Sequence, residues 1–119
     1  MECTAIVDLD ADAIGLLEET LGRDTVADML EGLATEFTMR VENLRAARDA
    51  EAICREGHAL TSLTGNFAMS RAYHLCCRIR KVAPTADAGT LRQLASELSE
   101  AVEDGFKVLE RRYGNAPPT

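Results

Sequence analysis

The stretch DAEAICREGHALTSLTGNF, residues 49–67, decides the fold class of this chain. Asp49 suits the cap of a helix, and Gly65 with Asn66 marks the expected end of that helix. Between them the inward positions alternate at spacings of three and four, which is the period of a helix with one buried face. These positions are Ala50, Ile53, Gly57, Leu60, Thr64 and Phe67. The stretch therefore predicts an amphipathic helix, the third of five along the chain.

Four further segments share this periodicity, and none alternates as a strand does. Asp10 is expected to cap a short first helix, and Asp24 to open the long second one. The four predicted ranges are about 10–22, 24–48, 69–82 and 87–113. The inward residues expected of the second helix are Val26, Met29, Leu30, Leu33, Phe37, Val41 and Leu44. Those expected of the fourth are Met69, Ala72, Tyr73, Cys76 and Ile79.

These helices, joined by short connections, predict an all-α fold. We expect an up-down four-helix bundle, with the short extra N-terminal helix as a lid on one end. At 119 residues the chain is expected to form a single domain, 1–119, with a short flexible tail over about 114–119. Its core must be mainly aliphatic, because the chain has no Trp and only three Phe.

The sequence also bears on cellular location. No apolar run approaches the length of a bilayer span, and the N-terminus lacks the basic region and apolar block of a signal peptide. The cysteines show neither CxxC spacing nor a disulfide framework, so we expect reduced thiols, with at least Cys76 in the core. These cysteines are Cys3, Cys54, Cys76 and Cys77. We expect a cytoplasmic protein. A free-standing protein and a part of a larger kinase both stay open, and Met1 favours the first.

Charge is unevenly distributed along the chain. A net charge of -7 argues against nucleic acid or an anionic membrane as the main ligand. Residues 69–83 hold Arg71, Arg78, Arg80 and Lys81 and no acid, so this segment carries +4 and the remainder carries -11. Two interpretations stay open: a cationic helix that balances acidic neighbours, and a docking surface for an acidic partner.

His58 is the most informative residue of the third helix. At about 100° per residue it lies roughly 200° around the helix from Leu60, so it is expected to face solvent. The residues that share its face are Cys54, Arg55, Thr61, Ser62 and Gly65. An exposed histidine is often merely solvated. Ser, Thr and Gly weaken a helix interior, however, so their clustering here favours a face that another molecule approaches.

A metal site is the other chemical interpretation of His58. No His or carboxylate lies four positions away, and no Glu-x-x-His motif recurs. His74, the other histidine, is expected at the surface without a role. We therefore expect no metal and no cofactor on this chain.

Residues 58–69, HALTSLTGNFAM, resemble the signature of histidine-containing phosphotransfer (HPt) domains. In that signature the phosphorylated His is followed by an apolar residue, a Lys, a Gly and small residues. The resemblance covers nearly the whole chain, since the five predicted helices match the family in order and length.

The resemblance implies a carrier in a two-component phosphorelay. His58 would accept a phosphoryl group from an aspartyl-phosphate on a response-regulator receiver domain, or exchange it with a histidine kinase or hybrid kinase, and pass it on. The receiver would bring Mg²⁺, a Lys and the acceptor Asp. Such a chain is a monomeric phosphoprotein with a transient phosphohistidine rather than a stand-alone enzyme.

The sequence departs from the family at two positions beside the histidine. Thr61 stands where the family has Lys, and Ser62 where it has Gly. Thr61 can donate one hydrogen bond to a phosphoryl oxygen but supplies no charge, so we expect Arg55, on the same face, to supply the charge. Ser62 is small enough to preserve access, and Gly65 retains the family's second small position.

Two functions of different classes follow from these residues. The first is an active phosphorelay carrier that uses His58, with Arg55, Thr61, Ser62 and Gly65 lining the contact. The second is a docking or regulatory module that binds a receiver or kinase domain without transferring phosphate. A dimerising kinase fragment is a third interpretation, disfavoured because no ATP-binding region follows.

Overall fold

The computed structural model describes residues 7–114 and is all-helical over that range. Its five helices are α1 (Ala11–Leu21), α2 (Arg23–Ala46), α3 (Ala50–Asn66), α4 (Ser70–Val82) and α5 (Ala88–Arg112). No strand occurs among the described residues. The all-α class is confirmed, and the predicted tail lies outside the described residues except for Gly114.

Three of the helices are capped at their N-terminus by an aspartate. Asp10, Asp49 and Asp87 each accept a hydrogen bond from a backbone N–H three residues later, at 3.1, 2.8 and 2.7 Å. Each carboxylate thereby satisfies one of the N–H groups that the first helical turn leaves without a partner. The predicted caps at Asp10 and Asp49 are confirmed.

The prediction that Asp24 opens the second helix is wrong by one residue. α2 begins at Arg23, and Gly22 alone separates it from α1. Gly22 has φ +91°, a backbone conformation that glycine adopts without steric cost. Asp24 instead lies in the first turn of α2, where its negative charge favours the positive end of the helix dipole.

Helix packing encloses one continuous core. α3 packs against α2, α4 and α5; α2 and α4 also pack against α5, and α1 packs against α2. Phe37 lies where three elements meet, with its ring centroid 6.2 Å from that of Phe67 and 5.2 Å from that of Phe106. The remaining core is aliphatic, as the composition predicts.

Three residues predicted to face inward are exposed. Met29 is 39% exposed and Tyr73 is 42% exposed, while Ala50, the first residue of α3, is also exposed. Tyr73 lies at the edge of the buried face of α4, and its ring packs over Gly65 at the surface of α3. Leu75, which the prediction omitted, is buried instead.

A largely buried ion pair joins α2 to α3. Glu56 is 6% exposed, and its Oε1 accepts a hydrogen bond of 3.1 Å from Arg40 Nη1. The Glu56 hydrogen bond raises the pKa of Arg40 above its ordinary value, and Glu36 adds a further bond from the solvent side. Because a buried carboxylate without its partner is costly, this pair holds α3 in one rotational position.

The connection from α3 to α4 is braced by the segment that precedes α1. Ala68 has φ +59°, and its carbonyl accepts a 2.8 Å hydrogen bond from the Asp10 N–H. The Arg71 N–H donates to the Val7 carbonyl, also at 2.8 Å. At Gly105 of α5, a Cβ would lie 2.9 Å from Met69 Cε and 3.2 Å from the Asp8 carbonyl oxygen, so glycine there favours the close approach of this connection to α5.

Replacing Glu56 with alanine is expected to lower the free energy of unfolding by about 2 kcal/mol, because Arg40 loses its buried partner. Glu36→Ala, which removes the exposed partner of the same arginine, should cost less than about 0.5 kcal/mol. Urea denaturation of the two variants checks the difference. Equal losses of stability in the two variants would contradict a larger contribution from the buried Glu56 contact.

Ala68→Gly is expected to raise the free energy of unfolding by about 1 kcal/mol, since glycine adopts a positive φ without the steric cost of a Cβ. The control is Ala34→Gly, in the interior of α2, which should lower stability by about 1 kcal/mol. Thermal and urea denaturation give both values. A loss of stability at both positions would contradict the strain assigned to Ala68.

Candidate functional site

His58 lies on the outer face of α3, as predicted, and its side chain is exposed. The orientation follows from its neighbours. Glu56, two residues before it, is buried in the ion pair with Arg40, and Leu60, two residues after it, is fully buried in the core. Positions two apart on a helix point in nearly opposite directions, so these two anchors turn the imidazole towards solvent.

A groove of about 450 Å³ runs between α3 and α4 beside this histidine. The α3 side is lined by Ala50, Glu51, Cys54, Gly57, His58 and Thr61, and the other side by Cys76, Ile79, Arg80, Ala83 and Pro84. The helices approach closely there, since a Cβ added at Gly57 would lie 3.7 Å from Ile79 Cγ2. Gly57 and Ile79 therefore mark the level at which α3 and α4 meet beside His58, with room at Gly57 for a Cβ.

A second groove, of about 510 Å³, lies towards the end of α3. Thr61, Ser62 and Gly65 line it together with Tyr73, and Thr61 also lines the first groove. The structure thus places these three predicted site residues along one surface with His58. Arg55 is exposed on α3 and lines neither groove.

Gly65 has a structural role that the sequence did not reveal. A Cβ at this position would lie 3.2 Å from the Tyr73 ring, closer than most side-chain contacts allow. Its lack of a side chain accommodates an aromatic ring from α4. Tyr73 in turn forms the wall of the second groove, so Gly65 helps to shape the surface as well as to keep it open.

The hydroxyl of Thr61 is engaged within its own helix. Thr61 Oγ1 donates a hydrogen bond of 2.9 Å to the Gly57 carbonyl, one turn earlier. A hydroxyl has one proton, so donation to an approaching anion requires this bond to break first. Ser62 is exposed and forms no such bond within residues 7–114.

The cationic segment of α4 divides into two parts. Arg71 Nη1 lies 3.2 Å from Asp8 and 3.4 Å from Asp104, so its charge is balanced internally. Arg78, Arg80 and Lys81 are exposed and form no ion pair with any described residue. One arginine of the segment therefore balances acidic neighbours, as the first interpretation predicts, whereas the docking interpretation stays a prediction.

The cysteines near this surface are free thiols. Cys76 is buried, and burial raises the pKa of its thiol to about 11, so it remains protonated at neutral pH. Its core location is confirmed. Cys54 and Cys77 are half-buried, and Cys3 lies outside the described residues.

The described part of the chain contains neither a metal site nor a membrane-spanning helix. Within residues 7–114, no cluster of three or more His, Cys, Asp or Glu side chains is suited to hold a metal ion. His74 lies exposed on α4. None of the helices in this range combines the length and apolar character that spanning a membrane requires.

The sequence did not indicate that Arg80 lies on the same groove as His58. Arg80 was recognised as part of a charged segment, but which helix would face His58 depends on how α3 and α4 pair. The sequence signal that could have found it is the spacing of the buried residues Cys76 and Ile79, which places Arg80 at the border of the buried face of α4.

Comparison with known proteins adds no assignment to this geometry. No family model, no curated protein and no solved structure matches the chain. The functional interpretation therefore depends on the residues of the site.

Proposed function

We propose that this protein is an HPt-type phosphorelay carrier and that His58 is its phosphorylated residue. The observation that carries the proposal is an exposed imidazole at the junction of α3 and α4, with small side chains around it and a groove on its α4 side. Apart from Arg55, its neighbours on that face of α3 are small, so a docking partner can reach the ring.

The chemistry suits a neutral imidazole. Its ring nitrogen donates a lone pair to the phosphorus of an aspartyl-phosphate, and the bond between phosphorus and the carboxylate oxygen breaks. The aspartate leaves as a carboxylate, and the imidazole releases its N–H proton to solvent. Phosphoryl transfer demands positioning and charge neutralisation more than covalent assistance, and the phosphohistidine can return the group by the reverse step.

The partners follow from what this chain lacks. A response-regulator receiver domain would supply the Mg²⁺ and the aspartate, and a histidine kinase or hybrid kinase would be the other exchange partner. Arg78, Arg80 and Lys81 are placed to attract an acidic receiver face, since none of them forms an ion pair with a described residue. In this proposal the protein is cytoplasmic and monomeric.

The proposal extends to the arrangement of the helices. We infer that α2 to α5 form an up-down four-helix bundle, because each packs against the next and α2 closes the ring by packing against α5. α1 stands outside this ring, held by its contacts with α2 and by Glu18, whose carboxylate accepts two hydrogen bonds of 3.0 Å from Arg112. This arrangement leaves the outer faces of α3 and α4 free for docking.

A second function is a docking or regulatory module that binds a receiver or kinase domain without phosphoryl transfer. The observation that favours it is Thr61, which supplies no charge and whose hydroxyl already bonds to the Gly57 carbonyl. The two functions differ in whether His58 itself is required.

The decisive experiment follows phosphate on this chain after incubation with receiver domains phosphorylated by acetyl phosphate. Acid-labile, base-stable label is expected on the native protein and on His74→Gln, the matched control, and none on His58→Gln. Label on His58→Gln would show that a residue other than His58 carries the phosphate. Binding to receivers without label on the native protein would favour the docking module instead.

Thr61→Val is expected to change the transfer rate less than about twofold, because the hydroxyl donates within the helix and not to the phosphoryl group. Thr61→Lys, which restores the family's residue, should raise the rate by adding a charge-assisted contact. Rapid-quench measurement with one phosphorylated receiver compares both variants with the native protein. A tenfold loss in Thr61→Val would instead support direct donation by Thr61.

A further inference from the structure

We propose that Arg80, on α4, is the cation that binds the phosphoryl group on His58, in place of both the family's Lys and Arg55. The inference rests on the proposed function and deepens it. It names a residue on a neighbouring helix, whereas the sequence pattern directed attention to the histidine's own helix.

The first argument is that the turns of α3 and α4 that carry His58 and Arg80 lie side by side. Gly57 directly precedes His58, and Ile79 directly precedes Arg80. Gly57 and the side chain of Ile79 face each other, since a Cβ on Gly57 would lie 3.7 Å from Ile79 Cγ2, an ordinary van der Waals distance. This contact places the turn of α4 that carries Arg80 beside the turn of α3 that carries His58.

The second argument is that both side chains border the same space. His58 and Arg80 line the first groove from opposite helices. Arg55 does not line it and lies about 60° around α3 from His58, on the side away from α4. A phosphoryl group attached to the imidazole at the groove therefore meets the guanidinium of Arg80 across the groove.

The third argument is charge. Arg80 is exposed and forms no ion pair within residues 7–114, whereas Arg71 of the same helix is paired with Asp8 and Asp104. Glu51 is the acid that lines the groove, but it lies two helical turns before His58, about 10 Å along the axis. An arginine can offer paired donors to a phosphoryl group, which a threonine cannot.

Phosphoramidate tests this role without a receiver domain. The imidazole nitrogen attacks phosphorus, the bond between phosphorus and nitrogen of the donor breaks, and the leaving ammonia takes the imidazole proton to depart as ammonium. The second-order rate constant for phosphohistidine formation, followed by ³¹P NMR, reports how the site handles an incoming phosphoryl anion. The probe is phosphoramidate alone.

Four variants distinguish the contributions of Arg80, Arg55 and Arg78 to this rate constant. Arg80→Gln is expected to lower the rate constant roughly fivefold or more, through loss of a charge-assisted contact. Arg55→Gln and Arg78→Gln, which remove the same charge from other exposed positions, should each change it less than about twofold. Arg80→Lys should recover part of the loss, because it restores charge without the planar fork. Circular dichroism checks that every variant remains folded.

The outcomes distinguish this inference from the function on which it rests. A loss confined to Arg80→Gln, with partial recovery in Arg80→Lys, supports it. Labelling of His58 with equal rates in all variants, or a loss confined to Arg55→Gln, overturns the role of Arg80 and leaves the carrier function standing. Absence of label on His58 in the native protein overturns both.

Discussion

The approach of α3 to α4 at Gly57 is the contact on which the rest of the site depends. With no side chain at Gly57, Ile79 packs against the backbone next to His58, and residues of both helices line one groove. A Cβ at Gly57 would meet Ile79 Cγ2 at 3.7 Å, an ordinary van der Waals distance, so alanine would fit there, whereas a longer side chain would have to displace Ile79. The geometry of the surface is therefore a consequence of core packing one residue away from it.

The rotation of α3 is held by a different kind of interaction. Leu60 anchors the helix through the apolar core, and Glu56 anchors it through a buried ion pair with Arg40. The hydrophobic contact tolerates small rotations, whereas an ion pair has a narrow geometry and a buried charge without its partner is costly. Together they leave the imidazole on the solvent-exposed face of α3, while the charged pair lies inside the molecule.

Sequence periodicity predicted the helices closely because each helix buries a single stripe, and the aspartate caps mark their starts. The errors have physical causes. Asp24 was assigned as the start of α2 because helix starts were located from capping residues. The connection between α1 and α2 is instead the single residue Gly22, which has a positive φ. Tyr73 was assigned to the core from its spacing, but an amphipathic ring at the edge of a buried face packs across Gly65 and stays partly exposed.

The sequence by itself determined the all-α class, the ranges of the helices and the outward direction of His58, because these depend on spacing along one chain segment. Tertiary structure alone decided which residues of α4 stand beside that histidine. It paired Arg71 with two carboxylates and left Arg80 on the groove, although both are arginines of one helix. The reason is that contacts between helices depend on relative level and rotation, which no pattern within either helix specifies.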